Sequence, residues 1–240
     1  MKTTVLPLTT TLILSWVVLG GVVFASDGIN TKLASLRRQS MAAEIFSTEV
    51  ESRYLSLLRD AETDKDRGRV LMELIDVLGA KNGDSENISG YCQQAFLLPL
   101  DPLEKCEIVK HWATALQRSK QRQDHDKRIA ETYLKGIVLT LEATDADEIR
   151  EPPPVGKYRY VGSSQADENA KREEHQQEME ARKKVQSDNE LLKYRSRFVQ
   201  ECASAFRRIP DGRNQYLLMA DKYLKDFKAV RDQLSEMIGK

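Results

Sequence analysis

Apolar residues recur every three or four positions along most of this chain, and that period predicts helices. From Ser40 to about Glu62 they fall at Ala42, Ile45, Phe46, Val50, Tyr54, Leu57, Leu58 and Ala61, one face of one helix capped by Ser40. Thr63 to Asp66 restarts the chain as a loose capping box. The next helix carries Val70, Leu71, Leu74, Ile75, Val77 and Leu78, and the glycines of residues 79–84 supply the left-handed turn that ends it. A short third helix holds Ile88, Tyr91, Cys92, Ala95 and Phe96 and stops near Pro99. Asp101-Pro102-Leu103-Glu104 is the strongest local signal: Asp caps, Pro opens the first turn, and Glu reaches back. The helix it starts presents Ile108, Val109, Trp112, Ala115 and Leu116 and fades near Arg122. Asp124 or Asp126 opens a fifth, with Ile129, Ala130, Tyr133, Leu134, Ile137 and Leu141.

Residues 40–149 therefore read as an antiparallel helical array, repeat-like or a bundle. Trp112-Ala113 on one helix and Ala130, Leu134 and Ile137 on the next resemble a tetratricopeptide-type repeat, in which large and small residues alternate so that paired helices nest. The resemblance spans about residues 41–143. It implies the architecture and no binding residues, because the signature Gly-x-x-Tyr is missing and no strict period shows.

Three consecutive prolines, Pro152 to Pro154, then end the helical pattern, since proline cannot continue a helix and a run of it favours an extended polyproline conformation. Lys157-Tyr158-Arg159-Tyr160 follows. Residues 150–164 read as a joint whose tyrosines lash it to the helices beneath, or else as a strip that stacks on a ligand.

Beyond it, residues 165–190 hold strong helix formers and few large apolar residues, Met179 and Val185 among them. A helix polar all round bridges solvent or is unstable alone. From Leu191 a stripe returns through Tyr194, Phe198, Cys202, Ala205 and Ile209. Residues 209–212 make a turn, and Tyr216, Ala220, Tyr223, Phe227, Val230, Leu234 and Met237 form a coiled-coil seam. Residues 165–240 thus predict a long helix and an antiparallel helical hairpin. The fold class expected is all-α.

The N-terminus has a different pattern. Lys2 precedes an uncharged apolar run from about Leu12 to Phe24, and Val23 and Ala25 place small residues before Ser26. This is the layout of a secretory signal peptide over residues 1–25, followed by a polar lead-in over residues 26–39. The alternative is an uncleaved anchor. Either one places the remainder outside the cytoplasm, periplasmic or secreted.

Composition narrows the function. The 240 residues carry 37 Lys and Arg against 37 Asp and Glu, so no global field holds nucleic acid or an acidic membrane. Cys92, Cys106 and Cys202 are an odd number for an oxidising compartment. They read as small buried apolar residues, with a Cys92–Cys106 bridge as the other possibility. Phosphate loops, nucleophile elbows and metal-binding His or Cys motifs are absent. His111 reads as a core-edge residue and His175 as solvated. Asp124-His125-Asp126 has the look of metal chemistry, but a helix start attracts aspartate for its dipole. The spacing of Cys92, Cys106, His111 and His125 is not that of a zinc knuckle. Glu173 and Glu174 lie where no pocket would raise a carboxylate pKa. Asn87-Ile88-Ser89 matches a glycosylation sequon, which carries meaning only in a eukaryotic host and otherwise reads as a chance match.

No residue is assigned a catalytic, cofactor-binding or metal role, and no cofactor is expected. The reading is an exported, non-enzymatic helical protein that binds another protein or the envelope, with membrane contact only if the leader stays uncleaved. The alternative is an extracytoplasmic enzyme with a site assembled from scattered residues such as Asp124, His125 and Tyr158.

Overall fold

The computed structural model describes residues 28–42, 48–119, 124–154 and 165–239. These residues are all-α: no strand occurs among them. Residues 1–25, expected to form a leader, lie outside the described residues, as do Tyr158 and Tyr160. Among the described residues no helix is long and apolar enough to cross a membrane. The chain divides into two compact units, Met1–Pro99 and Leu100–Lys240.

The first unit holds α1 (28–42), α2 (Thr48–Asp60), α3 (Asp64–Ala80) and α4 (Ser85–Leu97). Helix α1 corrects the polar lead-in expected at residues 26–39. Ile29, Leu33 and Leu36 are buried, one helical turn apart on a single face, and the charged residues between them point outward. Ser40 is not the cap of a helix running to Glu62. It lies buried in the last turns of α1 and donates to the Leu36 carbonyl at 2.7 Å. Arg37 reaches Glu73 of α3 at 2.7 Å, and Arg69 donates to Asn30.

Helix α3 follows its sequence signals closely. Thr63 accepts from the Asp66 amide at 3.1 Å and donates to the Asp66 carboxylate, and all six predicted core positions are buried. The left-handed residue after α3 is Asn82 at φ 53°, not a glycine. Gly83 is needed for space instead, because a Cβ there would sit 2.6 Å from Leu78. Asp84 caps α4 by accepting from the amides of Glu86 and Asn87. Tyr91 of α4 donates to Glu51 of α2 at 2.8 Å, and burial pushes its hydroxyl up to about 12.

The second unit holds α5 (Pro102–Arg118), α6 (His125–Ala143), α7 (Gln165–Arg208), α8 (Gly212–Tyr223) and α9 (Lys228–Gly239). The Asp101–Glu104 capping box is complete at the start of α5. Trp112 and Ala113 of α5 and Ala130, Leu134 and Ile137 of α6 are all buried, and the two helices pack on each other. Two boundaries differ from expectation. The helices of residues 40–149 are not one array, because α5 and α6 belong with the C-terminal helices. The proline segment is likewise not a domain boundary, since α6 packs directly on α7 across it.

The last helix also differs. The seam expected from Tyr216 to Met237 is interrupted at residues 224–227, and α8 and α9 fold back on each other. The Tyr216 hydroxyl donates to the Arg231 carbonyl at 2.6 Å. Leu224 is fully buried at the bend, whereas Phe227, Val230 and Met237 are half-exposed. Length explains the break. The buried stretch of α7 runs from Leu191 to Phe206, about 23 Å at 1.5 Å per residue. A straight helix over the whole seam would overrun it onto polar surface. Two short helices fit, and both pack on α7.

Candidate functional site

Helix α7 is the element on which the polar chemistry of the second unit gathers. Its C-terminal half is rooted in the core. Phe198 is fully buried between Tyr133 and Tyr194, with ring centroids 5.7 and 5.6 Å away. Gly136 of α6 makes that seat possible, because a Cβ there would lie 2.7 Å from the Phe198 ring and 2.9 Å from Val109. Tyr194 also donates to Glu107 of α5.

Arg195 closes the end of α6. Its guanidinium donates to the carbonyls of Thr140, Thr144 and Ala146 at 2.9, 3.1 and 3.3 Å. Terminal carbonyls have no partner inside their own helix, so a side chain must supply one. Burial lowers the Arg195 pKa, and nearby Asp147 pulls it the other way.

Asn189 then fixes the chain beyond α6. Its amide nitrogen donates to the Arg150 carbonyl at 2.7 Å while its oxygen accepts from the Arg150 amide at 2.9 Å. Arg182 reaches the Pro153 carbonyl at 3.5 Å. From Arg150 to Pro153 the chain steps three residues, about 9 Å in a polyproline conformation. From Asn189 to Arg182 the helix steps seven, about 10.5 Å. The two pitches nearly match, so the proline segment lies along the helix in register.

The N-terminal half of α7 is different. No side chain between Gln165 and Glu190 is buried. Two faces can still be told apart. Glu168, Lys171, His175, Glu178, Arg182, Val185 and Asn189 are half-covered, and their steps of three and four residues mark one side. Ala166, Ala170, Glu173, Gln177, Glu180 and Ala181 are all exposed on another side. Acid precedes base by four residues at Asp167–Lys171, Glu168–Arg172, Glu178–Arg182 and Glu180–Lys184. Such pairs support a helix without tertiary packing, at about 0.2–0.5 kcal/mol each.

Where α7 passes α9 a groove of about 580 Å³ opens, lined by Ile149, Leu192, Val199 and Val230 with Arg195 and Arg197. Ile149 is 64% exposed on its rim, beside the Asn189 clamp that fixes Arg150.

Asp124 and His125, named from the sequence as enzyme candidates, line a cleft of about 310 Å³ at the start of α6, together with Asp126, Arg208 and Gln215. Asp124 adopts φ 58° and makes no side-chain cap. Asp126 is held by Arg208 at 2.8 Å. Tyr158 lies outside the described residues. Among the described residues, no group of three or more His, Cys, Asp or Glu side chains could hold a metal ion. Cys92, Cys106 and Cys202 are buried and unbridged. Burial raises all three thiols, Cys106 to about 12, so they pack as apolar groups.

Sequence reasoning missed Arg195, Asn189 and the groove. Arg195 and Asn189 sit among many similar polar residues, and only the partners 39 to 55 positions away distinguish them. Compared with known proteins, the chain matches no protein-family model, no curated protein and no solved structure.

Proposed function

We propose that this chain is an exported, non-enzymatic helical protein that engages another protein through the N-terminal half of α7. One observation carries the reading: residues 165–190 are helical and bury no side chain. A helix of that length exposed on a packed body costs ordering entropy and returns no core burial, which fits a surface meant for a partner. The leader pattern at residues 1–25 supports export, with an uncleaved anchor as the alternative. The second reading, an extracytoplasmic enzyme, draws on the cleft that Asp124 and His125 line with Asp126, Arg208 and Gln215.

Site-specific photo-crosslinking in the producing cell tests the interaction. The crosslinker replaces Gln177 or Lys183 on the exposed half of α7, or Asp232 on α9 as a control, all three exposed. The expected outcome is one defined product from the α7 positions and none from the control. Equal labelling at all three positions, or none, overturns the reading. N-terminal sequencing of the exported protein should begin at Ser26.

A further inference from the structure

The groove and the exposed half of α7 complement each other. Lys193, Arg195 and Arg197 line the groove with Asp147, around a floor of Leu192, Val199 and Val230; Lys193 pairs with Glu190 at 2.7 Å and Arg195 is held by the carbonyls that end α6, so the rim keeps a small net positive charge. Residues 165–180 carry six acids against two bases, a net charge of −4. The exposed face of residues 166–184 sets Ala166, Ala170, Gln177, Ala181 and Lys184 between Glu173 and Glu180 on one side and Glu174 on the other. Small residues let a helix approach closely, and the flanking acids meet a cationic rim. One surface has an apolar floor and a net positive rim, and the other is a narrow strip of mostly small residues with acidic edges.

A molecule cannot join its own two surfaces. Both lie on α7, and Glu173 and Ser196 are 23 positions apart on one continuous helix, about 35 Å at 1.5 Å per residue. An α7 arm that seats in this groove must therefore belong to another molecule. We propose that it is a second copy of this chain, with the acidic half of each α7 seated in the α7–α9 groove of the other. Exchange of the same two surfaces closes a two-fold dimer with its long helices antiparallel. This rests on the reading of α7 as an interaction surface and names the partner of that surface.

Charge reversal tests it on the exported protein purified from cells. One variant reverses the groove, Lys193→Glu with Arg197→Glu; the other reverses the arm, Glu173→Lys with Glu174→Lys. All four side chains are exposed, and circular dichroism confirms that both variants fold. Light scattering should give a dimer mass for the wild type, weakening between about 0.05 and 0.5 M salt as exposed charges are screened. Each variant alone should dimerise at least about tenfold more weakly, since like charges then face each other. Mixed in equal amounts, the two should regain the dimer, because every arm in the mixed pair meets a groove of opposite sign. A wild type that stays monomeric at low salt overturns the proposal, as do variants that dimerise like the wild type or a mixture that fails to recover. If crosslinks from Gln177 and Lys183 lead to a different protein, the second copy is wrong and the interaction role of α7 stands. If those positions give no product, the interaction role falls with it.

Discussion

Gly136→Ala is the sharpest test of how α7 is seated. In the middle of α6 the substitution should help, since alanine is better than glycine in a helix by about 0.8–1 kcal/mol. Packing opposes it. The new methyl would lie 2.7 and 2.8 Å from two carbons of the Phe198 ring and 2.9 Å from Val109. Both neighbours are fully buried, and a ring held between Tyr133 and Tyr194 has little room to move. Overpacking of this kind costs about 1–3 kcal/mol. The net expectation is no gain and a loss of up to about 2 kcal/mol, or up to roughly 8 °C in Tm. Phe198→Ala alone should cost about 3–5 kcal/mol. With the ring gone, Gly136→Ala should become neutral or stabilising, and that reversal measures the contact itself. Trp112 makes the assay specific. The chain has two tryptophans, and the other is Trp16, so fluorescence-detected urea melts of protein prepared to begin at Ser26 report the unit that contains α7. A gain of about 1 kcal/mol for Gly136→Ala in the wild-type background would show that helix propensity governs the site and that the close approach is not a constraint.

Arg195→Gln should cost about 1–3 kcal/mol, because part-buried carbonyls at the end of α6 lose their donor, and the same fluorescence melts measure it. Glu178→Gln or Glu180→Gln should cost no more than about 0.5 kcal/mol each; they should leave the Trp112 melt in place and reduce only helical ellipticity at low salt. The buried thiols predict alkaline sensitivity. Burial raises their folded pKa values above the ordinary thiol value of about 9, so folded thiols stay neutral where unfolded ones ionise. Stability is therefore fully present below about pH 9 and declines as pH rises toward the folded values, by up to about 1.4 kcal/mol per pH unit for each thiol. Urea melts between pH 7 and 10.5 check this, and Cys202→Ala should shallow the decline.

Local signals were legible wherever one residue type has one mechanical use. The Asp101–Glu104 box, the Thr63 cap and the core stripe of α3 could be read directly. So could the polar character of residues 165–190, because burial needs apolar side chains and those positions lack them. Helix α1 was misread, although Ile29, Leu33, Leu36 and Ser40 repeat at helical spacing; Lys32, Arg37 and Arg38 among them masked the stripe. The break at residues 224–227 was not legible. A heptad seam states that a face is apolar, but how much apolar partner surface awaits it depends on another helix. The groove escaped for the same reason, since Ile149, Val199 and Val230 meet only when three separate segments converge.

Helix α7 contains neither glycine nor proline from Gln165 to Arg208, the residues at which long helices usually kink. Tilt applied at its N-terminus is therefore not absorbed along the way. Its exposed half is a rigid lever arm, and the ring of Phe198, wedged against Gly136, sits close to the fulcrum. A load at Gln165 acts over about 39 Å before the first buried residue, Leu191. The Asn189 clamp on Arg150 and the Arg182 contact with Pro153 brace that arm along its half-covered side. Torque toward the brace is resisted, and torque away from it falls on these polar contacts first.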